Sequence, residues 1–277
     1  GASAVFDLGK NRLSAGAFYT GLLYKKSAYI TMSPGDLDSY YDRENYFASR
    51  RLVFSLGWEN PGLFDTNSSL VFEMIGQFDL NDEGYKIHSQ YILACLTWPF
   101  LKHFNAELGG ILGLLEEDSS PAFCFAASAG LVWLPPGAAK DRFSFEAVFS
   151  SGAWNDRVKA FLPISTIAQG KVLRPKISGL ALAEAAYMRR LFTALSAEVS
   201  AAYFFRTDTA AYTDPELDAL SRSPLLGGEV YGGLTFSPVS DISFTLGGGV
   251  FFPQTGRAFI PDASLRWRVS LGTILSF

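Results

Sequence analysis

The strongest constraint in this chain is a side-chain alternation of period two, sustained over stretches longer than globular sheets use. In the last segment Leu265, Trp267, Val269, Leu271, Thr273, Leu275 and Phe277 alternate with Arg266, Arg268, Ser270, Gly272, Ile274 and Ser276. Successive side chains of a strand point to opposite faces, so one face is almost wholly apolar and the other mostly small or charged. Leu70, Phe72, Met74 and Phe78 against Val71, Glu73, Ile75, Gln77 and Asp79 repeat the pattern, as do Phe143, Phe145, Ala147 and Phe149 against Ser144, Glu146, Val148 and Ser150. The pattern predicts twelve strands, at 12–23, 46–58, 69–80, 86–98, 103–115, 122–134, 142–154, 178–188, 191–205, 225–237, 242–252 and 265–277. Most run about 10 to 13 residues, where globular strands average about 5 to 6. A tilted crossing of a bilayer takes about 9 to 11.

Composition removes the competing classes. The 23 Lys+Arg against 27 Asp+Glu leave a net charge of -4, which offers nucleic acid no broad basic face. Charged residues at 18% fall below the roughly 25% of a soluble domain, and aromatics reach 15%. Disorder, coiled coil and collagen do not fit these values. A mean hydropathy of +0.15 raises the question of spanning helices. The charge-free stretch 119–139 is broken by Pro121 and Pro135-Pro136, however, and 122–134 is shorter than the roughly 20 residues a helix needs. Cys95 and Cys124 fall on non-adjacent expected strands, too far apart for a disulfide, and read as free thiols. Two histidines leave little material for a metal site, and no cofactor is implied.

Two further signals agree with the strands. Tight links at 99–102, 135–137 and 237–241 alternate with longer segments at 24–45, 155–177 and 206–225, the arrangement of short periplasmic turns and long outer loops. Alternate strands also end in an aromatic: Trp58, Trp98, Trp133, Tyr187, Phe236 and Phe277. Rings of this kind settle at the headgroup level and form a girdle. The expected fold is therefore all-β, a closed antiparallel transmembrane β-barrel of about twelve strands in one domain over 1–277.

The tail Leu271-Gly272-Thr273-Ile274-Leu275-Ser276-Phe277 resembles the terminal β-signal of Gram-negative outer-membrane proteins, with Gly272, Leu275 and Phe277 at the matching positions. Glu229, Pro238, Asp241-Ile242-Ser243, Gly249 and Phe252-Pro253 resemble the closing hairpin of alginate-export-type porins. These resemblances imply a bacterial outer-membrane location, contact with lipid and lipopolysaccharide, and the barrel assembly machinery as a partner during insertion. The start, Gly1-Ala2-Ser3, lacks the basic and apolar runs of a signal peptide and reads as a mature start.

With the Phe, Leu and Trp faces toward lipid, the opposite faces carry Arg51, Glu73, Glu107, Glu146, Glu184, Glu198, Glu229, Arg266 and Arg268. In hydrocarbon such charges cost a few kcal/mol near the midplane, so they are expected to line the lumen. Closure would bring Arg266 and Arg268 toward Arg51. The segment 155–177 holds Arg157, Lys159, Lys171, Arg174 and Lys176 around the apolar run Ala160-Phe161-Leu162-Pro163-Ile164, which suits a loop folded into the mouth. The expected function is a porin-like channel for small polar or anionic solutes. A closed barrel anchoring an envelope partner is the alternative, and a rim hydrolase around His88 the second one. His88 and Ser89 are adjacent and point to opposite faces of a strand, so they cannot pair as base and nucleophile.

Overall fold

The computed structural model of the chain describes residues 1–20, 50–63, 67–80, 87–117, 120–137, 140–163, 168–209, 212 and 214–275. The described strands are β1 (Ala2–Leu8), β2 (Asn11–Tyr19), β3 (Arg51–Leu63), β4 (Ser68–Asp79), β5 (Ile87–Leu101), β6 (Phe104–Glu117) and β7 (Ser120–Trp133). They continue with β8 (Arg142–Ser150), β9 (Leu180–Phe192), β10 (Leu195–Arg206), β11 (Leu225–Val239), β12 (Ile242–Pro253) and β13 (Arg266–Leu275). They hydrogen-bond in sequence order in one sheet, through antiparallel ladders. The chain divides into two compact units, one of 1–96 with 111–124 and one of 97–110 with 125–277.

The sheet has thirteen described strands where the alternation predicts twelve. Each expected strand overlaps one of β2 to β13, and the extra strand is β1. Its cue is the tight turn at Gly9, whose φ of 63° only glycine adopts cheaply. Leu8 pairs with Asn11 across that turn, and Ala2 to Leu8 form a full ladder with β2. With Val5, Phe6 and Leu8 all more than half exposed, β1 lacks the two-faced pattern that marks the others. β3 also runs on to Leu63, past Pro61, through an irregular register after Asn60.

Register explains the exposure pattern. In the second unit one cross-strand row runs Leu131, Phe145, Ala185, Ala201, Val230, Val250, Trp267. One residue along each strand lies a second row: Gly130, Glu146, Glu184, Ala202, Glu229, Phe251, Arg266. The first row is apolar and open, with Phe145 and Val230 each 49% exposed and Trp267 75%. The second carries the charges. On the first unit Leu56 and Met74, paired across β3 and β4, are likewise exposed, whereas Gln77 and Asp79 on the opposite face are buried.

The buried core of the second unit lies on its charged face, at the strand ends that lead into the longer links. Leu180, Leu182, Phe204, Leu226 and Phe251 pack there with Val172, Ala258 and Phe259 from the connecting segments. Phe204, Phe251 and Phe259 are fully buried and meet edge to face at about 6 Å.

In the first unit Gly113 of β6 is hemmed between Cys124, fully buried on β7, and Tyr91 of β5. A Cβ on Gly113 would stand 2.6 Å from the Cys124 sulfur and 2.8 Å from the Tyr91 ring. Gly113→Val is expected to destabilise the fold by on the order of 1–3 kcal/mol through overpacking, read as a lower urea midpoint of unfolding in detergent. An unchanged midpoint would show that this packing is slack.

Candidate functional site

The charged face of β6 to β10 borders a cavity of about 370 Å³ lined by Glu107, Ser128, Arg142, Glu146, Glu184, Met188 and Glu198, with small residues between them and Lys171 of a connecting segment. Glu146 and Glu184 are direct cross-strand partners. Like charges placed opposite one another repel, so this geometry favours a cation or water between them. A second cavity of about 170 Å³ on the same face shares Lys171, Met188 and Glu198 with the first and adds Tyr231, Thr235, Thr245 and Ser270. Lys171 Nζ stands 3.8 Å from a Glu198 carboxylate oxygen.

Glu229 does not line open space. It is 3% exposed, and its carboxylate accepts three successive backbone amides: Lys171 at 2.6 Å, Val172 at 3.0 Å and Leu173 at 2.9 Å. Successive amides turned toward one anion form a nest, and charge-assisted bonds of this kind are among the stronger ones. Arg266 is engaged as well. Its guanidinium donates to both oxygens of Asp214 and to Glu216 at 2.8 Å, and it lies 5.4 Å from the centre of the Phe259 ring. The two carboxylates belong to the segment between β10 and β11, which Arg206 holds by donating to the Ser221 and Ser223 carbonyls.

The remaining expected lining residues separate by location. Arg51 opens β3, donates to Gln77 at 3.4 Å, and keeps a buried Nε without a partner among the described residues. Glu73 sits half-buried on β4 opposite Gly57, and Arg268 on β13 opposite Gly249. In the basic segment, Arg157, Arg174 and Lys176 are exposed and Lys159 is half-buried. Phe161 of its apolar run is buried, its amide bonded to the Ser151 carbonyl; Ile164 lies outside the described residues.

Three girdle residues of the second unit, Trp98, Trp133 and Tyr187, belong to one run of ring contacts. Trp98, Phe100, Phe104, Trp133, Phe143 and Tyr187 follow one another at centroid distances between 4.6 and 5.9 Å. Phe236 pairs with Phe244, both exposed, and on the first unit Trp58 stacks on Phe72. Gly272 lies within β13 and Leu275 ends it, and Phe277 lies outside the described residues. His88 accepts the Asp79 amide at Nδ1 and touches the Phe78 ring. Ser89, buried on the other face, accepts from Gln77. Cys95 and Cys124 are not joined in a disulfide.

The lock of Arg266 on Asp214 and Glu216, and the nest around Glu229, were not legible in the sequence, because their partners lie some fifty residues or more apart. No protein-family model and no curated protein matches the chain. A solved structure similar to it is that of the NanC porin in a rhombohedral crystal form. The two are 8% identical with a TM-score of 0.41, over 96% of this chain and 99% of that one.

The latch on Arg266 titrates. Burial raises the Asp214 carboxyl, but the Arg266 hydrogen bonds, the Glu216 amide and the Tyr212 hydroxyl outweigh it and leave it below the ordinary carboxylate range. Glu216 is lowered by Arg266 first and then by the Ser264 amide. Carboxyls depressed in the folded state stabilise it above their unfolded value of about 4 and lose that contribution as pH falls through the folded value. Cleavage of the 207–224 segment by an acid-tolerant protease should therefore accelerate below about pH 4. Arg266→Met should give roughly tenfold faster cleavage already at neutral pH, the scale of one lost charge-assisted hydrogen bond. A cleavage rate independent of both would contradict the latch.

Proposed function

We propose that this chain is a bacterial outer-membrane β-barrel that forms a narrow, porin-like channel with a carboxylate-lined path for small cations and neutral polar solutes. One observation carries it: the apolar row through Phe145, Val230 and Trp267 lies a single residue from the charged row through Glu146, Glu184 and Glu229. A sheet with large apolar side chains open on one face and carboxylates around a cavity on the other suits hydrocarbon outside and water within. Because hydrocarbon leaves no edge amide satisfied, closure of the sheet into a barrel is part of the proposal. The ring run from Trp98 to Tyr187 then sits at a headgroup level, lipid and lipopolysaccharide are the surrounding partners, and Gly272 with Leu275 serves as the assembly signal.

The geometry moves the preferred solute from anions toward cations. Arg266, expected to line a cationic sector, is neutralised by Asp214 and Glu216. Glu107, Glu146, Glu184 and Glu198 outnumber Lys171 and Arg142 around the larger cavity. A second reading, a closed barrel serving as an anchor, is favoured by the apolar cluster of Phe204, Phe251 and Phe259 that the connecting segments bring onto the charged face.

Reconstitution in a planar bilayer under a salt gradient decides between them. The channel reading expects discrete openings with a cation-selective reversal potential, and a permeability ratio reduced about twofold or more by Glu146→Gln with Glu184→Gln. A silent bilayer containing the folded protein would favour the anchor, and anion selectivity would overturn the carboxylate path.

A further inference from the structure

We infer that Lys171 is the specificity-determining residue of this path: a tethered ammonium, held in place by the turn nested on Glu229, that partitions the two cavities of the charged face. The inference rests on the channel reading and assigns one residue within it.

The backbone of the turn is fixed from two sides. Glu229 holds the amides of Lys171, Val172 and Leu173. Gly170, with a φ of 74°, leaves no room for a side chain, since a Cβ there would stand 2.5 Å from the Phe204 ring and 2.8 Å from a Glu229 oxygen. On the other flank Val172 is buried against Gly249, where a Cβ would come within 2.8 Å of a Val172 methyl. The position of the Lys171 Cα is thus set by a buried carboxylate and by two close approaches that only glycine permits.

The side chain is held differently. Lys171 is 42% exposed and its Glu198 partner 29%, and their separation of 3.8 Å exceeds that of a charge-assisted hydrogen bond. A loose, wet ion pair on a fixed root lets the ammonium swing while staying in the path. Both cavities are lined by Lys171, Met188 and Glu198, so these side chains form the partition between them and the ion pair is its charged part. The ammonium offsets part of the field of Glu107, Glu146, Glu184 and Glu198, and a permeating cation must displace it from Glu198. Shortening it joins the cavities and leaves the carboxylates uncompensated. Arg174 and Lys176 lie exposed on the same segment and line neither cavity.

The test compares the full-length wild type with Lys171→Ala, Lys171→Arg and Glu229→Gln in planar bilayers. A salt gradient near 0.1 M keeps the screening length at about 10 Å. Unheated gel mobility checks that each variant is folded. Lys171→Ala should raise the single-channel conductance on the order of twofold and shift the reversal potential further toward the cation limit. Lys171→Arg should stay near wild type in selectivity. Glu229→Gln should shift the reversal potential in the same direction as Lys171→Ala, because it frees the turn that positions the ammonium. A purely structural role for Glu229 would change the yield of folded protein without moving that potential. A cation-selective wild type with an indistinguishable Lys171→Ala variant overturns the inference and leaves the channel reading standing. Silence of every folded variant overturns the channel reading and the inference with it.

Discussion

Register is the constraint on which the rest of this structure depends. The row through Phe145, Val230 and Trp267 and the row through Glu146, Glu229 and Arg266 are one residue apart on every strand they cross. A slip by a single residue would exchange them, exposing carboxylates where the apolar row stands and closing the polar cavity with phenylalanine and tryptophan. The cost of that exchange multiplies with each strand. A ladder of modest individual hydrogen bonds thereby acquires one well-defined pairing. Gly130, a small residue on the charged row, lines the cavity beside Glu146, whereas Ala202 on the same row packs into the apolar cluster.

The same charged face is where the connecting segments come to rest. Buried carboxylate and guanidinium groups need full sets of partners, and here those partners come from the connections. Glu229 gathers three amides from the segment after β8, and Arg266 gathers two carboxylates from the segment after β10. Each anchors a connection at its own level, and between the connections lies the aromatic cluster of Phe204, Phe251 and Phe259. The outcome is a graded face: apolar and filled toward the long connections, acidic and hollow around Glu146 and Glu184, with Lys171 where the two meet.

Much of this architecture was readable as sequence, because period two is a local signal. Leu265 to Phe277 declare a two-faced strand without reference to any other part of the chain, and the expected strands overlap β2 to β13. β1 escaped because Ala2 to Leu8 is exposed along its length and has no contrast between its faces. The register sets Glu146, Glu184, Glu229 and Arg266 in one row, but the state of each charge did not follow from its position. Arg266 and Glu146 look alike in an alternating pattern, yet one is saturated by Asp214 and Glu216 and the other borders a cavity. That difference is decided by where the connections fold, through contacts between residues far apart in the chain.

The most direct test is nitroxide scanning of residues 197–203 on β10 in liposomes, comparing collision rates with oxygen and with a water-soluble paramagnet. Val199 and Ala201 stand on the exposed face, and Ser200 and Ala202 are buried on the charged one. The membrane account predicts oxygen maxima at 199 and 201 that alternate out of phase with the aqueous signal. Uniform access of the water-soluble probe to 199 and 201, with no alternation, would contradict it.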